Sequence, residues 1–311
     1  MSTELDSSPT ESAVMGRLFL LGHHIAHSLS PRFHNQVFTS LGLPWKLELL
    51  DTPDVADITS RLTQPNFVGA SVTMPHKVAV MDYLDHLTEA AISTQAVNAI
   101  FVQEDPKTRQ RTVVGTNTDC IGIHHALIAA DPNIAERAKG RPGMVIGGGG
   151  ACRAAVYALQ AFVGCSKVYV VNRDAKEVDL VLSAFKKVGF NTSCCYIDTS
   201  SEAMALEPPV VIVSTIPDLS PRSDEEIRAR AVVSTIMGVS PKAIFLDMCY
   251  HPSPETQLMS LARQSNLSVI SGIEAFFHQA VASNSLWTSF AATEIPLEEV
   301  RTAMDAVHTN I

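Results

Sequence analysis

No apolar run in the 311 residues reaches the ~18 needed to cross a bilayer, so a membrane-spanning helix is not expected. Positive charge is scarce: 23 Lys and Arg stand against 32 Asp and Glu, a net charge of −9, and no basic cluster breaks the balance. A phosphate backbone is bound through a basic patch, so nucleic acid is not an expected partner. The six cysteines (120, 152, 165, 194, 195 and 249) include no CxxC pair, and Cys194 and Cys195 would point to opposite faces of a strand. Buried thiols in a reducing compartment fit better than a disulfide frame. The eleven histidines give no HExxH or similar spacing. His23, His24 and His27 therefore read as loop and packing residues, and no metal is expected. Residues 1–15 are polar and acidic, neither a secretory signal nor a transit peptide. They read as a disordered lead-in, and the protein as cytoplasmic.

What is there describes a globular protein long enough for two domains, with 46% apolar residues. A strand over Gly16–Gly22 leads to Ser30 and Pro31, an N-cap followed by a proline at the first helical position. The helix behind them carries Phe33, Val37, Phe38 and Leu41 on one face and stops near Gly42. A strand from Trp45, a helix around Val55–Leu62 and a strand ending at Thr73 follow, the alternation of an α/β domain. Pro75 opens a predicted helix in which Val78, Met81 and Leu84 recur at helical spacing. Lys77 would then stand in a first turn, where the helix dipole disfavours a protonated amine. Further on, Asp119 opens a helix and reads equally well as its N-cap.

From Pro142 the pattern changes. Met144–Ile146 is a short buried strand, Gly147-Gly148-Gly149-Gly150 a tight turn, and 151–162 a helix closed by Gly164. The spacing Gly147-x-Gly149-x-x-Cys152 between strand and helix is the context in which glycines approach a pyrophosphate. The helix N-terminus then supplies N–H groups and positive dipole. Further strands near 193–197, 210–214, 243–248 and 267–270 make this a Rossmann-type, doubly wound dinucleotide-binding domain. A long helix over 272–292 and a last one beyond Pro296 close the chain. The expected division is a substrate domain over 16–121 plus 271–311, with the C-terminal helices returning to it, and a dinucleotide domain over 122–270.

The order of motifs resembles the shikimate/quinate dehydrogenase family from about Gly22 to Pro296. The pieces that carry it are Ser28-Leu29-Ser30-Pro31 with His34-Asn35, Ser71-Val72-Thr73-Met74-Pro75-His76-Lys77, Ala96-Val97-Asn98 and Asn117-Thr118-Asp119. The glycine turn with Arg153, Asp247 with Tyr250, Pro252 and Thr256, Gln279-Ala280 and Trp287-Thr288 complete the set. The resemblance implies NAD(P)-linked oxidation of a ring hydroxyl to a ketone. It implies that Ser28 and Ser30 hold the substrate carboxylate, and that Thr73, Lys77, Asn98, Asp119, Gln279 and Tyr250 surround the ring. Gly147, Gly149, Gly150, Cys152, Arg153, Asn172, Arg173, Asp174, Thr215 and Gly272 fall to the cofactor.

Oxidation of an alcohol needs a base within reach of the hydroxyl proton. A lysine serves if its environment lowers its pKa from about 10.4, while a carboxylate beside it favours the charged form. Lys77 and Asp119 are accordingly read as a coupled acid–base pair. The sequence departs from the family at Ser71, Gln95, Ala99 and Val213, positions at the pocket rim. At the end of the second strand, Asp174 and Glu177 favour a ribose 2′-hydroxyl and repel a 2′-phosphate, which inclines the reading from NADP towards NAD. Asp174 reads alternatively as a helix cap. NAD use suits quinate and the serine pair suits shikimate, so both small ring acids stay open. A monomer or homodimer, a non-catalytic sensor of the same ligands, and a dehydrogenase for another small hydroxy acid stay open too.

Overall fold

The computed structural model describes residues 15–190 and 192–308. The expected lead-in therefore lies outside the described residues, save Met15. The chain opens with β1 (Gly16–Gly22), α1 (Ser30–Ser40), β2 (Trp45–Asp51), a short α2 (Thr59–Leu62) and β3 (Phe67–Val72). Then come β4 (His86–Leu87), α3 (Glu89–Thr94), β5 (Ala99–Glu104), β6 (Arg111–Thr116), α4 (Asp119–Ala130), α5 (Ile134–Ala138) and β7 (Pro142–Ile146). Next are α6 (Gly150–Tyr157), β8 (Lys167–Val171), α7 (Ala175–Lys187), β9 (Cys194–Tyr196), α8 (Ser200–Met204), β10 (Val211–Ser214) and α9 (Asp224–Val239). The chain closes with β11 (Ile244–Asp247), α10 (Gln257–Gln264), β12 (Ser268–Ile270), α11 (Gly272–Thr288) and α12 (Leu297–His308).

Two compact units result. The first takes the residues up to His86, Ala99–Val114 and those from Ser283; the second takes Leu87–Asn98 and Gly115–Ala282. The dividing points thus differ from those expected at 121, 122 and 270. The reason is visible at α4, whose Cys120, Ile123 and Leu127 are buried in one cluster with Val145, Cys152 and Ala155. An apolar face in sequence does not say which core it will join.

In the first unit β1 lies between β2 and β3, parallel to both, and β5 runs antiparallel to β3. Phe33, Val37 and Phe38 bury the inner face of α1, each contributing about 1.5–3 kcal/mol of transfer free energy. Trp287 of α11 joins Leu18, Leu20, Phe38 and Leu47 in that core, and its Nε1–H donates to the Ile100 carbonyl at 2.8 Å. The last helix packs on α1, where the Ser40 hydroxyl donates to Glu299 at 2.9 Å. The last helix and the end of α11 from Ser283 return to the first unit, while Gly272–Ala282 stays with the second.

His34 lies fully buried on α1, its Nδ1 accepting from Asn284 at 2.9 Å. Burial pushes its pKa down from 6.5 to about 3, against the opposing pull of the Asn284 bond. A base whose folded-state pKa is depressed adds stability in full above its unfolded value, and loses it as pH falls from 6.5 towards 3. At pH 5 that loss is about 2 kcal/mol. The drop in Tm between pH 7 and pH 5 should therefore be smaller in His34→Gln than in the natural protein. Equal drops in calorimetric scans would show that His34 does not govern it.

The second unit carries a six-stranded sheet in the order β12-β11-β10-β7-β8-β9, parallel throughout. Along β7, Val145 faces one apolar cluster while Met144 and Ile146 face another, so the sheet is covered on both sides. That is why its strands read as continuous apolar runs. The strand order reverses between β7 and β10, the crevice where doubly wound sheets bind ligands.

Several expectations need correction. No α-helix starts at Pro75: residues 74–78 form turns, and a 3₁₀ segment follows at Ala79–Tyr83. Of the positions read as a helical face, Val78 is 43% exposed and Val80 is buried instead. Leu29, not Ser30, takes the N-cap position of α1, and no side chain caps it. Pro31 removes one of the N–H groups such a cap would bond. The helix after the glycine turn leaves α-helical bonding at Tyr157 for a π turn over Ala158–Phe162. The long helix ends at Thr288, not Ala292, because Ser289 turns left-handed at φ 61°.

Candidate active site

The candidate substrate residues of the first unit follow the carboxyl ends of two neighbouring strands, β1 and β3. After β1, the Asp51 carboxylate accepts from the backbone N–H groups of Ile25 (3.1 Å) and His24 (2.9 Å), which holds it below the usual carboxylate range. The Ser28 N–H then donates to the Ile25 carbonyl, and the Ser28 hydroxyl oxygen accepts from Ser30 N–H at 3.2 Å. Ser30 itself is buried in the first turn of α1. After β3, Thr73 N–H donates to the Leu21 carbonyl, and His76 N–H closes the turn onto the Thr73 carbonyl. The buried His76 ring anchors that turn, Nε2–H donating to the Thr52 carbonyl at 2.8 Å. Lys77 thus sits half-buried in a pinned turn ahead of a 3₁₀ segment, not in the first turn of an α-helix.

The second unit assembles a buried polar network around Asn98, which is 4% exposed. Its Nδ2 donates to Asp119 Oδ1 at 2.8 Å and lies 3.0 Å from Thr118 Oγ1 and 3.3 Å from Gln279 Oε1. Its Oδ1 accepts from Thr118 N–H at 2.6 Å. The amide is therefore fixed in orientation, and its charge-assisted bond to Asp119 is the strongest of the set. Asp119 is not the N-cap of α4, a position held by Thr118, and its own N–H is taken by Asn117 Oδ1 at 3.0 Å. The carboxylate is directed sideways, at Asn98. Asn98, Asp119 and Gln279 are thus brought together within the second unit. Thr118 and Asn117 build that network, and His76 separately pins the Lys77 turn of the first unit; sequence reasoning assigned them no role. The only signal was their place inside the motifs.

At the mouth of the parallel sheet, Gly147 has φ +126°, a left-handed value that side chains rarely adopt. A Cβ there would also collide with Thr215 Oγ1, which donates to the Ile146 carbonyl at 2.8 Å. Gly149 occupies the N-cap position of α6, Gly150 begins the helix, and no side chain caps or acidifies its first turn. Cys152 is wholly buried against the sheet, and burial pushes its thiol up to about 12. It packs the helix closely and stays protonated. Arg153, beside it, is half-buried. Gly272 permits the close approach of α11, since a Cβ would meet the Asp247 and Met248 carbonyl oxygens at 2.7 Å. The Tyr250 ring stands 5.7 Å from that of Phe276 on the same helix.

Beyond β8, Asn172 Nδ2 donates to Glu177 Oε2 at 2.7 Å and to the Asp174 carbonyl at 2.9 Å. Asp174 does cap α7, accepting from Lys176 N–H at 2.8 Å. Arg173 pairs with Glu226 at 2.7 Å.

Residues 20–100 match the family model described as the shikimate dehydrogenase substrate binding domain. The chain is 41% identical over 291 residues to the quinate dehydrogenase of Emericella nidulans, with 88% of each covered. It belongs to the shikimate/quinate dehydrogenase family. The dehydroquinate dehydratase and shikimate dehydrogenase portion of S. pombe AroM superposes with a TM-score of 0.74 at 31% identity, covering 93% of this chain and 53% of that one. The shikimate dehydrogenase of Mycobacterium tuberculosis does so at 0.71 and 28%, covering 94% and 99%.

A shikimate/quinate dehydrogenase is an NAD(P)-linked oxidoreductase, and the second unit fits such a cofactor. The Gly147 turn leaves a cradle that a Cβ would fill, and the open first turn of α6 offers N–H groups to a pyrophosphate. Among the described residues no helix is long and apolar enough to cross a membrane.

Proposed function

We propose that this family dehydrogenase is a quinate enzyme working with NAD. The observation that carries the reading is the likeness to a quinate dehydrogenase across 88% of both chains. Ser28 and Ser30 grip the substrate carboxylate. The Ser28 oxygen already accepts from Ser30 N–H, which leaves its own proton to donate. Thr73, Gln279 and Tyr250 contact the ring. Lys77 takes the hydroxyl proton as carbon is oxidised and returns it in the reverse direction. Asp119 shares and orients that proton, and Asn98 fixes the carboxylate through its 2.8 Å bond. A bound nicotinamide would supply the hydride acceptor for the carbinol carbon, and Lys77 the acceptor for the hydroxyl proton, so two electrons and a proton are both accounted for.

The NAD reading is supported by the carboxylates of Asp174 and Glu177 beyond β8, since a 2′-phosphate would meet negative charge there. The cytoplasmic reading is supported by six unpaired cysteines, three of them buried. The test is the purified protein with quinate or shikimate and NAD or NADP, following reduced-nicotinamide absorbance. Turnover should be fastest with quinate and NAD. Faster oxidation of shikimate would overturn the substrate assignment. No turnover in any mixture, with thermal stabilisation by either acid, would point to a sensor.

A further inference from the structure

The guanidinium at the end of β8, where a 2′-phosphate would be recognised, is already engaged. Arg173 follows Asn172 at the end of β8, and its charge is felt by Glu226, Glu177 and Asp174. All three favour its charged form, Glu226 most, through a direct hydrogen bond. The contact is specific: Arg173 Nη1 lies 2.7 Å from Glu226 Oε1, and the other oxygen, Oε2, accepts from Arg222 N–H at 2.8 Å and Ser223 N–H at 3.2 Å. Glu226 is therefore fixed as the third residue of the capping box that starts α9. A carboxylate held by two backbone N–H groups presents its free oxygen to Arg173 without losing side-chain freedom. A second arginine nearby is similarly engaged, Arg228 Nε lying 2.9 Å from Asp198 Oδ1. On the other side, a Cβ built on Gly148 would meet Glu177 Cβ at 2.8 Å, so Glu177 stands directly beside the glycine turn.

We infer that Glu226 is a specificity-determining residue for the cofactor: by holding Arg173 in an ion pair, it denies a 2′-phosphate the guanidinium at the end of β8. The inference rests on the NAD reading above. Glu226 acts through Arg173 and need not touch the dinucleotide. To bind the 2′-phosphate, Arg173 must leave its carboxylate and the phosphate must approach two further acids. A solvent-screened pair of this kind is weak, so its release should change affinity by a small factor, about three- to fivefold.

The test uses Glu226→Gln, which keeps an acceptor for the capping box. Calorimetric titration of the purified protein with 2′,5′-ADP and with ADP reads the 2′-phosphate alone, without turnover. Glu226→Gln should bind 2′,5′-ADP about three- to fivefold more tightly and leave ADP unchanged. The NADP-to-NAD ratio of kcat/KM should rise by a similar factor. Glu225→Gln removes the same charge from the adjacent exposed position and should change neither titration. An unchanged 2′,5′-ADP affinity in Glu226→Gln, or an equal gain in Glu225→Gln, would overturn the role of the pair. A natural protein that binds 2′,5′-ADP more tightly than ADP would instead overturn the NAD reading beneath it.

Discussion

Lys77→Ala should lower kcat by about two to four orders of magnitude while leaving NADH affinity within about twofold of the natural protein. The size follows from the role: loss of a positioned acid–base group costs the proton-transfer advantage, not the binding of either reactant. The sparing of NADH follows from the fold, because Lys77 belongs to the first unit and the glycine turn to the second. The turn that carries Lys77 is pinned by His76 through the Thr52 carbonyl and by the Thr73 bonds. Truncating a half-buried side chain there should leave the backbone in place. Single-turnover hydride transfer and NADH fluorescence titration separate the two quantities. Full activity in the variant would remove Lys77 from the chemistry, and a parallel loss of NADH affinity would mean that the substitution disturbs more than the proton.

The residues proposed for the chemistry stand in motifs legible in sequence, but what positions them could not be read there. β1 was legible to the residue because its apolar run is bounded by glycines. The turn at Lys77 was not, because Val78, Met81 and Leu84 mimic a helical face. The actual conformation is decided by a histidine reaching a carbonyl in a distant loop. Asp119 reads locally as a helix cap. Only the fold supplies Asn98 as its partner and shows that Thr118 has the capping position. Asp174 shows the opposite case. Its place before a helix already suggested a cap, and the bond to Lys176 N–H bears this out, so its carboxylate serves the helix whatever it also does for a ribose. The pairing of Arg173 with Glu226 lay wholly beyond local pattern, since α9 is remote in sequence from β8.

Gly147→Ala should weaken NADH binding by about 100-fold or more, with a measurable fall in Tm. Two independent penalties act at this position. A residue at φ +126° is outside the regions open to a side chain, a strain of about 1–3 kcal/mol. The new methyl also strikes Thr215 Oγ1, which is held on the Ile146 carbonyl at the end of β7. Either response, a shift of the turn or a displacement of Thr215, changes where the N–H groups ahead of α6 point. The double variant Gly147→Ala with Thr215→Ala removes the collision and keeps the backbone strain. It should recover part of the lost affinity, and the remainder measures the strain alone. Isothermal titration of both variants with NADH, with circular dichroism to show the sheet intact, decides the matter. If Gly147→Ala binds NADH normally, the turn does not carry the pyrophosphate, and the cofactor must be sought elsewhere on the second unit.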